Sequence, residues 1–216
     1  MDLVGLSAGL GNQVYVARPI WNSVPPARVY SVPGSYPMYG QCQLAVADVN
    51  GDGRPDVVVT SPMGSSVRVL LNSGGALGAA QTYGVGGTPA AVAVGDVSGD
   101  GRLDIVTANS DGTVSVLLGQ GNGSFGAAQI YVLGGPVNSV ALGDFNHDGR
   151  LDIATTGSTE TDVLLNSGGA FGAYQRVGPA GSSVVVADFN GDGYADLAEV
   201  VAASSSTDVL LNKANW

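Results

Sequence analysis

The chain has 216 residues, 44% of them apolar, which is enough to bury a substantial core, so a disordered chain is excluded and one globular unit or an integrated array is expected. Its 34 glycines and 12% charged residues argue for tight turns and against long helices. Eighteen acids against eight bases give a net charge of −10, which excludes a nucleic-acid surface built from Lys/Arg clusters and favours cations as partners.

Along the chain, Asp2-Leu3-Val4-Gly5 aligns with Asp56-Val57-Val58-Val59, so the first unit, about residues 1–42, lacks a first strand. Its "GNQVYVARPIWNSVPPARVYSVPG" reads as third and fourth strands, with Val14 and Val16 in the places of Val67 and Val69 and Tyr30 in the place of Tyr83. Met1-Asp2-Leu3 lacks the basic and hydrophobic regions of a signal peptide, so any export signal has been removed or lies outside this chain. No apolar run reaches the roughly 18 residues of a membrane span. Cys42 has no second cysteine to pair with and reads as a small buried hydrophobe.

Four copies of one pattern follow: "LAVADVNGDGRPDVVVT" (44–60), "VAVGDVSGDGRLDIVTA" (92–108), "VALGDFNHDGRLDIATT" (140–156) and "VVVADFNGDGYADLAEV" (184–200), spaced 48, 48 and 44 residues apart. Each is followed by a second shared piece, such as "VRVLLNSGGALGAAQTY" or "TDVLLNSGGAFGAYQRV", and "TDVLLN" at 207–212 is the last of these. Val, Ile, Leu and Tyr dominate the short runs and no 3.6-residue period appears, which makes each unit four β-strands. The period is that of a β-propeller blade, whose first strand lines the axis. A β-helix or stacked sandwich is the alternative, with a different usual period. Small residues precede each acidic stretch, at Ala45 and Ala47, Ala91, Ala93 and Gly95, Ala141 and Gly143, and Ala187, as converging axial strands require. The expectation is an all-β propeller domain over 1–216, with units at about 1–42, 43–90, 91–138, 139–183 and 184–216. Three blades are complete, and the last lacks a fourth strand.

Between the first and second strands of four units lies a nine-residue loop with oxygen-bearing side chains at positions 1, 3, 5 and 9. These are Asp48, Asn50, Asp52 and Asp56; Asp96, Ser98, Asp100 and Asp104; Asp144, Asn146, Asp148 and Asp152; and Asp188, Asn190, Asp192 and Asp196. Position 6 is always glycine (Gly53, Gly101, Gly149, Gly193), as a sharp turn of positive φ requires. Position 7 varies in side chain (Arg54, Arg102, Arg150, Tyr194), which suits a ligand given by the backbone carbonyl. All-oxygen ligation by a flexible set selects Ca²⁺ over Mg²⁺ or zinc, one ion per loop and four in all. Twelve of the 18 acids lie in these loops, and four Ca²⁺ would cancel eight of the ten net negative charges. An acidic Asx-type turn capping a hairpin is the plain alternative for any single copy. The EF-hand, which D-x-N-x-D-G imitates, fails because its twelfth position is Val59, Thr107, Thr155 and Glu199 and its flanks are strands; Glu199 is not a ligand here. His147, at position 4, reads as a surface residue.

The pattern D-x-[NS]-x-D-G-x-x-D after an apolar strand resembles the FG-GAP and VCBS repeat families, the calcium-binding blades of integrin α-subunit propellers, secreted bacterial proteins and some fungal lectins. The resemblance implies a β-propeller with Ca²⁺ at the blade hairpins, extracellular or at the cell surface, engaged in adhesion or ligand binding. Phe125-Gly126 and Phe171-Gly172 match the family's Phe-Gly pair loosely, and Leu77-Gly78 departs from it.

Catalysis finds no arrangement to carry it: the one His and the one Cys do not lie near a recognisable catalytic partner in the sequence, the loop aspartates are committed to metal, and Glu160 is the only glutamate besides Glu199. A binding module for a glycan or protein ligand outside the cell is the leading reading, lectin-like in its specific form, with Tyr36, Tyr39, Tyr83, Tyr131, Tyr174 and Trp21 as sugar platforms or as ordinary strand packing. The rival is a structural repeat segment. Its incomplete terminal blades would pair between copies in a homo-oligomer, with Val14, Val16, Val209 and Leu211 at the contacts.

Overall fold

The computed structural model describes the backbone of Leu3–Ser7, Gln13–Ala17 and Arg28–Ser31, and residues 42–74, 76–201, 204–214 and 216. Trp21, Tyr36 and Tyr39 lie outside the described residues.

Every described sheet is antiparallel and follows chain order. Sheet I holds β1 (Leu3–Ser7), β2 (Gln13–Ala17) and β3 (Arg28–Ser31). Sheet II holds β4 (Leu44–Ala47), β5 (Asp56–Ser61), β6 (Ser66–Leu70) and β7 (Gln81–Gly84). Sheet III holds β8 (Pro89–Gly95), β9 (Asp104–Asn109), β10 (Thr113–Leu117) and β11 (Gln129–Val132). Sheet IV holds β12 (Val137–Gly143), β13 (Asp152–Gly157), β14 (Thr161–Leu164) and β15 (Gln175–Gly178), and sheet V holds β16 (Ser183–Ala187), β17 (Asp196–Val201) and β18 (Ser206–Leu210). Three four-stranded sheets thus stand between two of three strands, as the repeat register predicts. The register itself agrees: Val14 pairs with Tyr30 as Val67 pairs with Tyr83, and Val4 with Val16 as Val58 with Val69. No helix among the described residues is long and apolar enough to cross a membrane.

The first strands converge. β4 and β5 pack on β8, β8 and β9 on β12, and β12 and β13 on β16, so each of sheets III, IV and V covers one face of its predecessor near the axial side, as propeller blades do. Small residues make that approach possible. A β-carbon on Gly95 would come to 2.8 Å from Leu142 Cδ1, and one on Gly143 to 2.6 Å from Val186 Cγ1 of the next sheet.

The core lies in the seams between sheets. Val49, Val58 and Val69 of the second unit meet Ile105, Leu117 and Phe125 of the third. Val106, Val114 and Val116 meet Ile153, Leu164 and Phe171, and Phe145, Ala154 and Val163 meet Val184 and Leu197. Middle strands are therefore sandwiched on both faces, and β5, β9 and β13 are buried at every residue. Cys42 packs against Val57, Val59 and Leu70 as a small hydrophobe would, but it is half-buried and not fully buried as expected, because it lies at the margin of that cluster.

Candidate metal loops

The four acidic loops join the first and second strands of sheets II to V, which puts all four at the same end of their sheets. Position 6 has φ of 80°, 83°, 81° and 91° at Gly53, Gly101, Gly149 and Gly193, the left-handed turn that glycine adopts without penalty. Position 4 needs the same conformation. Gly51, Gly99 and Gly191 supply it in three loops, and His147 holds φ of 62° in the other.

These two left-handed turns wrap the backbone around the position 1 carboxylate. Asp48 Oδ1 accepts the N–H groups of Gly51 (2.8 Å) and Asp52 (3.1 Å), and its Oδ2 accepts that of Gly53 (2.7 Å). Asp96 and Asp188 hold the same three bonds, and Asp144 holds those from Asp148 and Gly149. The penalty for leaving water, the largest single cause at Asp48, is outweighed by the N–H groups of Gly53, Asp52, Gly51 and Asn50 together, which hold its carboxyl below the usual range. Asp188 is held down likewise, chiefly by the Gly193 N–H. Such a carboxylate stays anionic at any physiological pH.

Position 3 braces position 5. Asn50 Oδ1 accepts the Asp52 N–H (3.0 Å) while its Nδ2 donates to Asp52 Oδ2 (3.0 Å), and Asn146 and Asn190 repeat the pair with Asp148 and Asp192. Ser98 instead donates to Asp96 Oδ1 at 3.3 Å. The position 7 side chain then adds something the sequence reading did not anticipate. Arg54, Arg102 and Arg150 fold back on Asp52, Asp100 and Asp148 at 2.7, 3.4 and 3.2 Å, so three loops carry an internal cation and the fourth, with Tyr194, does not.

Position 9 lies beneath the loop, fully buried at Asp56, Asp104, Asp152 and Asp196. Asp152 Oδ2 accepts the Phe145 N–H (2.9 Å) and its Oδ1 the Asn166 N–H (2.7 Å), which ties the loop's start to the end of the third strand. Asp56, Asp104 and Asp196 make the corresponding ties to Asn72, Gly119 and Asn212. Burial pushes Asp56, Asp104 and Asp152 above the ordinary carboxylate value, against the pull of these N–H donors.

Two further residues answer to signals present in the repeat but not used above. The asparagine of the last two "LLN" copies crosses the seam: Asn166 Nδ2 donates to Val97 O (2.6 Å) and Asn212 Nδ2 to Phe145 O (2.6 Å), each in the preceding unit's loop. His147 is exposed as expected, but its ring rests edge-on to Tyr194 of the next loop, centroids 5.2 Å apart. The two places where loops three and four depart from the repeat therefore touch each other. Glu199 is no loop ligand: it reaches across its seam, where Thr156 donates to it at 3.3 Å and Thr161 also donates.

Among the described residues no three acidic side chains are grouped closely enough to hold a metal alone. The loops offer a mixed set instead, with anionic oxygens at positions 1 and 5, an amide or hydroxyl oxygen at position 3 and a carbonyl at position 7. Oδ2 at position 1 and Oδ1 at position 5 each accept one backbone N–H and keep a further lone pair, so this donor chemistry fits a hard cation.

Family comparison rests on these same loops. The model of the FG-GAP-like repeat matches residues 48–107, 96–155 and 144–199, each match running from position 1 of one loop into the second strand of the next unit. The chain belongs to the FG-GAP-like repeat family. No curated protein matches it. Solved structures do. An Agrocybe aegerita lectin studied for its specific recognition of non-reducing terminal N-acetylglucosamine shares 22% identity over 99% of this chain and 63% of its own, with a TM-score of 0.66. BBS1N in complex with ARL6DN shares 16% identity over 98% and 62%, with a TM-score of 0.61. The V. cholerae biofilm matrix protein Bap1 shares 18% over 96% and 33%, also at 0.61. These likenesses establish the FG-GAP propeller fold, and the chain spans less than two thirds of the length of each of these structures.

Proposed function

We propose that this chain is a calcium-binding propeller module that recognises ligands outside the cell, with carbohydrate as the ligand class, and that it acts as a binder and not as an enzyme. The observation that carries the reading is the fourfold repetition of a loop whose backbone N–H groups converge on the aspartate carboxylate at position 1, all at one end of the sheets. In each loop the side chains at positions 1, 3 and 5 and the carbonyl at position 7 would hold the ion, with position 9 bracing the loop from beneath. Bound Ca²⁺ would supply charge neutralisation and rigidity to a surface that otherwise repels itself. Lectin and biofilm-matrix relatives in fold support an extracellular setting.

The aromatic side chains divide into two kinds. Tyr83 and Tyr131 pack edge-on against Phe125 and Phe171, centroids 5.4 Å apart in both cases, which makes them seam residues and not sugar platforms. The His147–Tyr194 pair, with His147 exposed and Tyr194 half-buried beside two acidic loops, is the surface on which a sugar ring's apolar face would stack. Glycan-array screening in Ca²⁺ and in excess chelator tests the reading: calcium-dependent glycan binding that Tyr194→Ala weakens at least tenfold is expected. Absence of glycan binding in Ca²⁺ would overturn the carbohydrate assignment, and absence of bound Ca²⁺ by elemental analysis would overturn the metal.

A further inference from the structure

The seam between sheets IV and V carries a second cluster of oxygens, at the end away from the acidic loops. Glu199 on β17 and Asp208 on β18 stand directly opposite each other in the strand pairing, so both side chains leave the face turned to sheet IV. The paired Thr156 and Thr161 of sheet IV meet them there. At the corresponding places sheet II pairs Val59 with Arg68, sheet III pairs Thr107 with Ser115 and sheet IV pairs Thr155 with Asp162, so sheet V alone makes both members acidic. The receiving pairs are Thr60 with Val67 in sheet II, Ala108 with Val114 in sheet III and Thr156 with Thr161 in sheet IV. Two hydroxyls thus come together only where two acids arrive.

This cluster is short of positive charge. Glu199 is 1% exposed, and its Oε1 has no hydrogen-bond partner. Its Oε2, Thr156 Oγ1 and Thr161 Oγ1 lie in mutual contact, with 2.6 Å between the two hydroxyl oxygens. Each hydroxyl has one proton to give, so two protons serve three contacts and lone pairs are left facing one another, as they do around a metal ion. Asp208, half-buried, accepts a bond from Ser206 at 3.0 Å, and like charges directly opposite in a strand pair destabilise it. The arginines and lysine of these two units lie elsewhere: Arg150 on Asp148, Arg176 on Glu160, and Lys213 next to Asn212, whose N–H is tied to Asp196 beneath the loop. The chain after β15 closes the cluster from outside. A β-carbon on Gly181 would come to 2.6 Å from Thr156 Oγ1, and one on Gly178 to 3.2 Å from Glu199 Oε1.

We propose that Glu199, Asp208, Thr156 and Thr161 bind a divalent cation of Mg²⁺ size, at a site separate from the four acidic loops. Two carboxylates balance the charge of such an ion, which offsets the cost of burying Glu199 unpaired. Oxygen is the only donor in the set, which selects a hard ion over zinc or copper. The crowded seam offers too few oxygens for the large shell of Ca²⁺, whereas a small octahedral ion held by two carboxylates keeps part of its water, here on the side of half-buried Asp208. Mn²⁺ is the probe, counted on the full chain by electron paramagnetic resonance in a large excess of Ca²⁺. One tightly held Mn²⁺ per chain that Ca²⁺ does not displace is expected. Glu199→Gln, close in shape to the parent, should abolish it, and Thr161→Val should weaken it about tenfold or more. Calcium content by elemental analysis of the same samples reports the acidic loops, so their failure is told apart from failure of this site. A parent chain without such an ion overturns the proposal with no variant needed. So does a folded Glu199→Gln chain that still holds it.

Discussion

At one end of the seam between sheets IV and V, Asp188 lies open to water and accepts three backbone N–H bonds. At the other end, Glu199 is 1% exposed and leans on two threonine hydroxyls, with one of its carboxylate oxygens unmatched. The seam between sheets III and IV repeats the contrast. Asp144 is held by its loop, whereas Asp162 is buried on β14 with no hydrogen-bond partner for either oxygen, beside an equally unmatched Thr155 hydroxyl across the strand pair. Glu160, nearby, is buried and takes the one adjacent cation, Arg176. The same functional group is thus made useful where backbone donors surround it and costly where none do.

Breaking the well-served end should have the largest effect. Asp152→Ala strips the partner from two backbone N–H groups, a loss of about 3–5 kcal/mol, or about 10 °C in Tm at this chain length. Asp152→Asn, which keeps one acceptor oxygen, should fall between; equal melting of all three proteins would show that the tie carries no stability. Removing the ion comes next. Loss of any one ion should cost the mass-action value of about 2–3 kcal/mol for a site held at a hundredfold excess over Kd; excess chelator should lower Tm through all the sites together, and Ca²⁺ should restore it better than Mg²⁺. An unchanged Tm would separate these loops from calcium altogether.

At the poorly served end the sign reverses. Burial pushes Asp162 up to about 6, so the folded chain holds a proton there that the unfolded chain has already released. Stability contributed by that group is greatest below the unfolded value near 4, falls as pH rises towards 6, and stays low above it. Asp162→Asn should therefore raise Tm at pH 7 by a few degrees, about 1–2 kcal/mol, and flatten the profile between pH 4 and 6. A drop in Tm at pH 7 would mean that the carboxylate is matched by a group not yet identified. The smallest effect is expected at Arg150→Gln. The exposed pair with Asp148 contributes within about 0.5 kcal/mol to stability, but its loss should strengthen Ca²⁺ binding in that loop a few-fold, towards the behaviour of the loop that carries Tyr194. Calorimetric titration of the variant reads it directly.

The repeat made the five sheets, their strand numbers and their pairing register legible, because a 48-residue period with Val, Tyr and Gly at fixed offsets admits few other arrangements. The position 6 glycines were legible for the same reason. What escaped is everything decided between sheets. β13 reads "DIATTG" and is buried throughout, so strand alternation cannot separate Thr155, facing sheet III, from Thr156, facing Glu199. Nor can spacing show that Asp152 turns under its loop while Asp148 stays above it, or that an arginine chosen for its backbone carbonyl also returns its guanidinium to the loop. The cross-seam asparagines had a visible signal, standing at 166 and 212 after paired leucines, but their acceptors lie 69 and 67 residues away along the chain.

Those asparagines also connect one loop to the next. Asn212 receives Asp196 of the fourth loop on its backbone N–H and hands its side-chain N–H to the Phe145 carbonyl of the third, and Asn166 links the third loop to Val97 of the second in the same way. Gly119 stands at the corresponding place in the seam before, with no side chain to reach Val49. An ion that stiffens one loop would then ease the ordering of its neighbour from the second loop to the fourth, while the first fills alone. The chain would take up calcium as one independent site plus a cooperative trio, and Asn166→Gly should split that trio.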